Sequence, residues 1–264
     1  MGESGSLFAG VDVGASRTKL VILDRKAQIV AKTVKKSGTD FSETVERCLK
    51  KSLKMAGISR EDIAHTISTG YGRKNVPFAQ GSVTEIGCHG RGCYHYFPMA
   101  ITIIDIGGQD NKIIKLDGEG KRSSFKMNRK CAAGTGAFLE EMSMRLDIPL
   151  EEMNDLAEQS LEMVELGSFC TVFSATEVLE KIRQGKLVAD IVKGLFLSVI
   201  KRVLEMDSLT DTVVLTGGVV AHNPILVQMI EEIIDSKVLV PQYPQFTGAL
   251  GAALFAIDSY QEKN

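Results

Sequence analysis

The sequence predicts an α/β protein made of two related α/β subdomains. Three observations support this fold class: strand and helix patterns alternate along the chain, one strand–turn–strand segment occurs twice, and paired glycines follow a buried strand in the C-terminal part. A chain of 264 residues is long enough for one large domain or for two modest ones, each with its own core. Its composition, 44% hydrophobic and 24% charged, is that of an ordinary globular protein.

The duplicated segment is a short strand, a tight turn and a second strand. Its copies begin at Phe8 and Ile101, and an Asp, a Gly and a Lys recur in both at one constant offset. These residues are Asp12, Gly14 and Lys19 in the first copy, and Asp105, Gly107 and Lys112 in the second. Solenoid repeats have periods of about 20–50 residues, so this longer offset predicts two homologous subdomains.

The first subdomain is assigned to residues 1–98. After its hairpin, a third strand is expected at 27–33 and a helix at 41–56, where apolar residues recur at a helical spacing. A further strand is expected at 65–70.

The second subdomain is assigned to residues 99–264, with hairpin strands at 101–106 and 112–116. The helices expected after them are 134–146, 151–158, 174–184, 187–206 and 225–234, and the expected strands are 212–215 and 238–240. The last helix, 248–260, is rich in Gly and Ala and is expected to pack back at the hinge between the subdomains. A ligand cleft is expected there.

Each hairpin turn has the residues that a phosphate site needs. Glycine removes the Cβ atoms that would keep backbone N–H groups away from phosphate oxygens. Asp12 and Asp105, at the ends of apolar strands, are candidates to hold a hydrated Mg²⁺ between them. The candidates around the nucleotide phosphates are Gly14, Ala15, Ser16, Lys19, Gly107 and Gly108. The alternative is that both turns are structural hairpins only.

Gly217 and Gly218 follow a buried strand, where they would let a flat adenosine lie against the backbone, and Asn223 is a further candidate for nucleotide binding. A strand-to-helix connection that needs positive φ is the alternative. In this order, the two turns and the paired glycines resemble the phosphate and adenosine motifs of the actin/sugar-kinase/Hsp70 superfamily. The resemblance implies that fold, with ATP or ADP bound in the cleft.

Glu85 and Gln109 are the candidates for orienting the water that attacks ATP. Members that resemble Hsp70 carry a carboxylate in a helix at the place of Glu85, just upstream of the second turn. Gln109 lies inside that turn. A solvated glutamate at the start of a helix is the alternative for Glu85.

The five cysteines are interpreted as thiols of a cytoplasmic protein, because the N-terminus does not resemble a signal peptide and cytosolic thiols stay reduced. Each is either a buried apolar residue or a ligand. Cys131 and Cys170 each precede a predicted helix, whose N–H groups and dipole stabilise thiolate or cluster charge. Two such cysteines make half of the four-thiolate set of a cubane cluster, and a two-fold axis would supply the rest.

Several segments together resemble the activator component of (R)-2-hydroxyacyl-CoA dehydratases, a family that includes the ATPase subunits of benzoyl-CoA reductase. The segments are 68–73, 105–110, 130–136, 168–173 and 216–219. The resemblance implies a homodimer with one 4Fe–4S cluster ligated by Cys131 and Cys170 of both subunits, and Gly134 is a candidate for cofactor binding.

The same resemblance implies the electron-transfer partners. ATP hydrolysis would drive a low-potential electron into an acyl-CoA dehydratase or reductase component in anaerobic metabolism. Reduced ferredoxin or flavodoxin would be the electron donor.

Other functions are excluded or stay open. The net charge of −2 gives no reason to expect nucleic acid or an anionic membrane as a partner.

A sugar or carboxylate kinase of the same fold would need a base, usually Asp, near the acceptor hydroxyl, but the loop around Cys131 occupies the place where such kinases carry that residue. A cluster-free, ATP-switched regulatory protein would share all the nucleotide residues. Cys48, Cys88 and Cys93 match no ligand role in the family, and a second metal site at Cys88 and Cys93 is disfavoured because no further clustered ligand accompanies them.

Overall fold

The computed structural model describes residues 7–128, 131–167 and 170–262, which divide into two compact units. The first unit contains residues 7–100, 116–123 and 246–262. The second contains 101–115 and the described part of 124–245. Among the described residues, no helix combines the length and apolar character that a membrane span requires.

The first unit is a five-stranded sheet with three helices. The strands are β1 (Leu7–Val13), β2 (Arg17–Leu23), β3 (Ile29–Lys36), β4 (Ile63–Thr69) and β5 (Gly81–Ser82). The helices are α1 (Phe41–Ala56), α2 (Glu85–Tyr96) and α9 (Thr247–Gln261). The strand order is β3-β2-β1-β4-β5, and β1 is antiparallel to β2 but parallel to β4.

Alternation along β1 sends its side chains into two hydrophobic cores. Val11 packs with residues of α1, whereas Phe8 packs with residues of α9, so helices cover both faces of the sheet. The ends of α1 are fixed by local chemistry. The Asp40 side chain accepts a hydrogen bond from the Glu43 N–H at 2.9 Å, and Gly57 ends the helix in the left-handed region at φ 67°.

The Gly and Ala content of α9 reflects very close packing. A Cβ added to Gly251 would lie 1.8 Å from the carbonyl oxygen of Cys88 on α2. A Cβ added to Gly10 on β1 would lie 2.0 Å from the carbonyl oxygen of Ala249. The backbones of α2, α9 and β1 therefore approach so closely that these positions have no room for a side chain.

The second unit is built around a four-stranded sheet. The strands are β6 (Ile101–Ile106), β7 (Asn111–Leu116), β8 (Arg122–Asn128) and β9 (Thr212–Thr216). The helices are α3 (Gly136–Leu146), α4 (Met153–Glu158), α5 (Thr171–Arg183), α6 (Val188–Leu204), α7 (Gly218–His222) and α8 (Ile225–Ile234). The strand order β8-β7-β6-β9 repeats the order β3-β2-β1-β4 of the first unit, so the duplicated sequence segment corresponds to a duplicated sheet.

Some elements differ from the sequence prediction. The strand predicted from residue 27 begins at Ile29, because the Asp24 side chain closes a turn by accepting from the N–H groups of Lys26 and Gln28. The strand predicted at 238–240 is wrong: only Leu239 pairs, in a single parallel bridge with Val214. Helix α7 and strands β5 and β8 are absent from the prediction, and α2 enters it only as the helix considered at Glu85, without bounds.

Candidate nucleotide site and exposed cysteines

Asp12 and Lys19 face each other across the first hairpin. They are direct partners in the β1–β2 register, which explains their spacing of seven positions. The Lys19 Nζ lies 3.0 Å from Asp12 Oδ2, and the Asp12 side chain is almost completely buried. Asp12 Oδ1 is buried and has no hydrogen-bond partner among the described residues.

Two glycines make room for this carboxylate. Gly70, which follows β4 at φ 87°, would place a Cβ 2.5 Å from Asp12 Oδ1. Gly248, in the first turn of α9, would place one 3.2 Å from Asp12 Oδ2. Asp12 is thus held between two backbone segments that leave no space for another side chain.

Asp105 and Lys112 repeat the arrangement in the second hairpin. The Lys112 Nζ lies 3.0 Å from Asp105 Oδ2 and 2.7 Å from Asp110 Oδ1. Lys112 and Asp105 are both almost completely buried. Sequence reasoning missed Asp110, although its position two residues before Lys112 in the turn was visible.

Gly217 relates to Asp105 as Gly70 relates to Asp12. Each glycine follows the strand that runs parallel to the aspartate's strand, in registers that pair Asp12 with Thr69 and Asp105 with Thr216. A Cβ on Gly217 would lie 2.7 Å from Asp105 Oδ1 and 2.3 Å from the carbonyl oxygen of Ile106. Gly70 was therefore a missed part of the repeat, and its signal was the Thr-Gly pair at the end of each of these strands.

The two turns close in the same way. The N–H of Gly14 donates to the carbonyl of Arg17 at 3.1 Å, and the N–H of Gly107 donates to that of Asp110 at 3.0 Å. Within the turns, Ala15 and Gln109 are exposed, and Ser16 and Gly108 are partly exposed. The turns thus present candidate phosphate-binding residues at the surface of each unit.

The remaining nucleotide candidates occupy defined backbone positions. Gly218 begins α7, directly after β9. Asn223 is buried at the end of α7, where its Nδ2 donates to the Val219 carbonyl at 2.8 Å. Gly134 adopts φ 79°. Their roles in nucleotide or cofactor binding stay predictions.

Glu85 is the first residue of α2, and its side chain is only 18% exposed. One turn further on, His89 is buried, with Nε2 3.9 Å from Glu85 Oε1 and Nδ1 3.1 Å from Thr247 Oγ1. A Cβ on Gly248 would lie 3.0 Å from His89 Nε2 and 3.2 Å from Asp12 Oδ2, so the imidazole lies near the Asp12 carboxylate. Sequence reasoning missed His89; its signal was the i, i+4 spacing from Glu85.

The cysteines fall into two classes. Cys48, Cys88 and Cys93 are buried, and Cys131 and Cys170 are exposed; we call them the buried cysteines and the exposed cysteines. Burial raises the pKa of Cys48 to about 11 and that of Cys88 to about 12, so these thiols stay protonated.

The exposed cysteines lie at the starts of helical segments. Cys170 is the residue that precedes α5. The Cys131 Sγ accepts from the Ala133 N–H at 3.5 Å in the turn that leads into α3. Within the described residues of a single chain, no group of three or more His, Cys, Asp or Glu side chains is placed to hold a metal ion.

Comparison with known proteins assigns this chain to a family. Residues 9–256 match the sequence model of the BadF/BadG/BcrA/BcrD ATPase family. Over 257 residues the chain is 44% identical to the activator of lactoyl-CoA dehydratase from Anaerotignum propionicum, covering 96% of this chain and 98% of that protein. The structure of the activator of the 2-hydroxyisocaproyl-CoA dehydratase from Clostridium difficile with bound ADPNP matches at TM-score 0.91 and 40% identity, over 97% of this chain and 96% of the other.

More distant structures share the fold alone. A ROK family glucokinase from Streptomyces griseus, solved with glucose and AMPPNP, matches at TM-score 0.59 and 13% identity, over 96% of this chain and 100% of that one. The predicted fold class, an α/β protein of the actin/sugar-kinase/Hsp70 type, is confirmed by these likenesses. At such low identity a shared fold says nothing of the kinase reaction.

Proposed function

Because the chain belongs to the BadF/BadG/BcrA/BcrD ATPase family, we propose that it hydrolyses ATP to drive a low-potential electron into an acyl-CoA dehydratase or reductase component. The observation that carries the proposal is the presence, in one chain, of two matched Asp–Lys hairpins and two exposed cysteines. The relatives named as activators of lactoyl-CoA and 2-hydroxyisocaproyl-CoA dehydratases supply the class of partner.

Asp12 and Asp105 would hold Mg²⁺, and both turns would bind the phosphates of ATP or ADP. Mg²⁺ in nucleotide sites keeps several waters and uses one or two carboxylates, which matches the two buried aspartates and the unpartnered Asp12 Oδ1. Lys19 and Lys112 balance the charges of the two carboxylates. With Mg²⁺ held by the aspartates, the same ammonium groups would neutralise phosphate oxygens, since the Lys112 Nζ lies 2.7 Å from Asp110 Oδ1 of the second turn.

Glu85 is the proposed residue for orienting the attacking water, with Gln109 as the second candidate. Glu85 belongs to the unit that contains Asp12, and its side chain is mostly buried beside His89. That environment holds its carboxylate in one place, as a water-positioning residue requires. Gln109 is exposed in the second turn, where its conformation is less constrained.

The exposed cysteines fit a 4Fe–4S cluster shared by two chains. Such a cluster, when bound, accepts and donates single electrons at low potential. It needs four thiolates, and one chain offers two exposed ones while the other three are buried. We therefore propose a homodimer in which Cys131 and Cys170 of each chain complete one ligand set.

The proposed dimer also predicts the oxygen sensitivity, the location and the electron donor of the protein. A cluster held by exposed cysteines at a subunit contact would be open to oxygen, which suits a cytoplasmic protein of anaerobic metabolism. Reduced ferredoxin or flavodoxin is the proposed electron donor, because each carries single electrons at low potential. The chain itself would need no acyl-CoA pocket, since the radical chemistry belongs to the partner.

The proposal is tested by iron and acid-labile sulfide analysis of anaerobically purified protein, with oligomeric state measured on the same samples. We expect four irons per dimer in the wild type, and loss of iron in Cys131→Ser and in Cys170→Ser. Cys93→Ala is the matched control, since its thiol is buried, and it should keep the iron. Four irons per monomer, or iron retained in either serine variant, would contradict the shared site. A colourless protein that hydrolyses ATP only in the presence of a sugar would identify a kinase instead.

A further inference from the structure

Within the second unit, hydrogen bonds join the second hairpin to the segment that carries Cys131: its turn bonds to the start of α3, and Asn111, which follows the turn, bonds to Gly134. We call residues 107–110 the second turn and residues 131–135 the cysteine loop. The N–H groups of Gly136 and Ala137, the first two residues of α3, donate to the carbonyls of Gly107 and Gly108 at 2.9 and 2.8 Å. These N–H groups have no acceptor inside the helix, so the second turn caps α3.

One side chain reinforces this backbone link. Asn111, the first residue of β7, is completely buried, and its Nδ2 donates to the carbonyl of Gly134 at 2.6 Å. Its Oδ1 is buried without a hydrogen-bond partner among the described residues. A buried amide with one unsatisfied end is unfavourable compared with an apolar side chain of the same size, so packing alone does not account for it.

Asn111 and Lys112, which are consecutive residues at the start of β7, connect the proposed nucleotide site on one face of the sheet to the cysteine loop on the other. Successive residues of a strand point to opposite faces of the sheet. Lys112 points to the face where it pairs with Asp105 and Asp110. Asn111 points to the other face, where it meets the cysteine loop. Any shift of this strand end on phosphate binding must therefore move the hydrogen bond to Gly134.

The cysteine loop is compact enough to transmit such a shift. The N–H and the hydroxyl of Thr135 both donate to the Ala132 carbonyl, at 3.0 and 2.6 Å, and Thr135 is completely buried. A Cβ on Gly134 would lie 2.9 Å from side-chain atoms of Arg202, so the loop has little room to relax in place. Displacement at Gly134 is thereby passed on to Cys131.

We propose that Asn111 is a positioning residue that transmits the state of the second turn to Cys131, an inference that rests on the proposed nucleotide site. The nucleotide changes the position of the second turn, and the hydrogen bond from Asn111 to Gly134 carries the change into the cysteine loop. Removing that bond uncouples Cys131 from the nucleotide while the nucleotide still binds.

The test uses cluster-free, full-length protein and follows the alkylation rate of Cys131 by iodoacetamide. Cys170→Ser is the parent, so that Cys131 is the one exposed cysteine. Rates are measured without nucleotide, with Mg·ADP and with a non-hydrolysable Mg·ATP analogue, and calorimetry measures binding of each. In the parent we expect a change of about fivefold or more between states, the lower range of typical coupling between sites. Adding Asn111→Leu should make the rate the same in all three states, with nucleotide affinity retained.

Asn128→Ala is the matched control. Asn128 Nδ2 also donates to the cysteine loop, at the Cys131 carbonyl at 3.3 Å. Asn128 is the last residue of β8, however, whereas Asn111 follows the second turn directly in the chain. This variant should alter the basal rate and keep the nucleotide response. An unchanged response in Asn111→Leu, or a response lost equally in Asn128→Ala, would overturn the role of Asn111.

A measurement on the wild type covers the case in which Asn111→Leu does not fold. Hydrogen exchange of a peptide spanning residues 131–139 should slow when nucleotide binds, because it contains the N–H groups of Gly136 and Ala137. A peptide from α8 should show no change. If calorimetry shows binding but neither this peptide nor Cys131 responds, the link is wrong and the ATPase proposal stands. If no nucleotide binds, the proposed function itself fails.

Discussion

Replacing Gly217 by Ala should damage both the stability of the second unit and its nucleotide site. Gly217 has φ 104° and ψ 169°, a region of backbone conformation that is essentially limited to glycine. A Cβ there would lie 2.3 Å from the Ile106 carbonyl oxygen and 2.7 Å from Asp105 Oδ1. Relief of these contacts must move either the end of β6 or the Asp105 carboxylate.

The magnitude follows from two separate effects. The backbone conformation costs a non-glycine residue about 1–3 kcal/mol. Forcing a methyl group into an occupied space costs about 1–3 kcal/mol more. We therefore expect the free energy of unfolding to fall by about 4 kcal/mol, a large part of the ~5–15 kcal/mol that stabilises a typical domain.

Gly185→Ala separates the two effects. Gly185 lies in the same unit and has φ 77°, but a Cβ there would meet nothing within 4 Å. Its substitution should cost about 1–2 kcal/mol from backbone conformation alone. Urea unfolding of both variants measures the difference, and calorimetry with Mg·ADP measures the site. A Gly217→Ala protein that is as stable as Gly185→Ala and binds nucleotide like the wild type would show that Gly217 has room for a methyl group.

Three further predictions concern the site, the cysteines and the packing of α9. Asp105→Asn should lower the rate of ATP hydrolysis about 10²-fold or more, because it removes a proposed metal ligand, while circular dichroism should show an intact fold. The control is Asp207→Asn, which removes the carboxylate of an ordinary ion pair with Lys115 and should hydrolyse ATP at the wild-type rate. Mass spectrometry after thiol alkylation at pH 8 should find the exposed cysteines modified and the buried cysteines intact, since burial blocks access to all three and raises the pKa of Cys48 and Cys88 to about 11 and 12. Fast modification of a buried cysteine would contradict this assignment. Gly251→Ala should lower the free energy of unfolding by about 2 kcal/mol, which is the cost of overpacking less the gain in helix propensity. Gly90→Ala in α2, whose added Cβ would lie 3.4 Å from the nearest atom, should be neutral or stabilising by up to about 1 kcal/mol. Similar effects from both variants would contradict the close packing of α9 against α2.

Sequence periodicity predicted the elements with clear patterns. The helix expected at 41–56 matches α1, and the one expected at 225–234 matches α8, because each has a regular apolar stripe. Periodicity did not reveal the helix α2, because glycines interrupt its apolar pattern. These glycines are required by tertiary packing, since a Cβ on Gly92 would lie 2.2 Å from the Thr247 carbonyl oxygen. The strand β8 was missed because it is largely exposed and has no apolar alternation.

The sequence predicted those parts of the candidate site in which both interacting residues lie in one hairpin. The repeat identified both Asp–Lys pairs, since hairpin register alone sets their spacing. Gly70 and His89 left only weaker signals, because their contacts depend on the parallel pairing of β1 with β4 and on the position of α9 beside α2, which hairpin register does not set. Asn111 was missed because its partner, Gly134, lies beyond an intervening strand.

The most direct test of the account is ATP-dependent electron delivery to a 2-hydroxyacyl-CoA dehydratase. Anaerobic protein is reduced with a limiting amount of dithionite and mixed with that enzyme, and oxidation of the iron chromophore is followed by stopped-flow absorbance together with phosphate release. The account predicts oxidation only when Mg·ATP and the dehydratase are both present, and neither event in Asp105→Asn. Oxidation at the same rate without ATP, or ATP hydrolysis that proceeds with no change in the chromophore, would contradict the coupling.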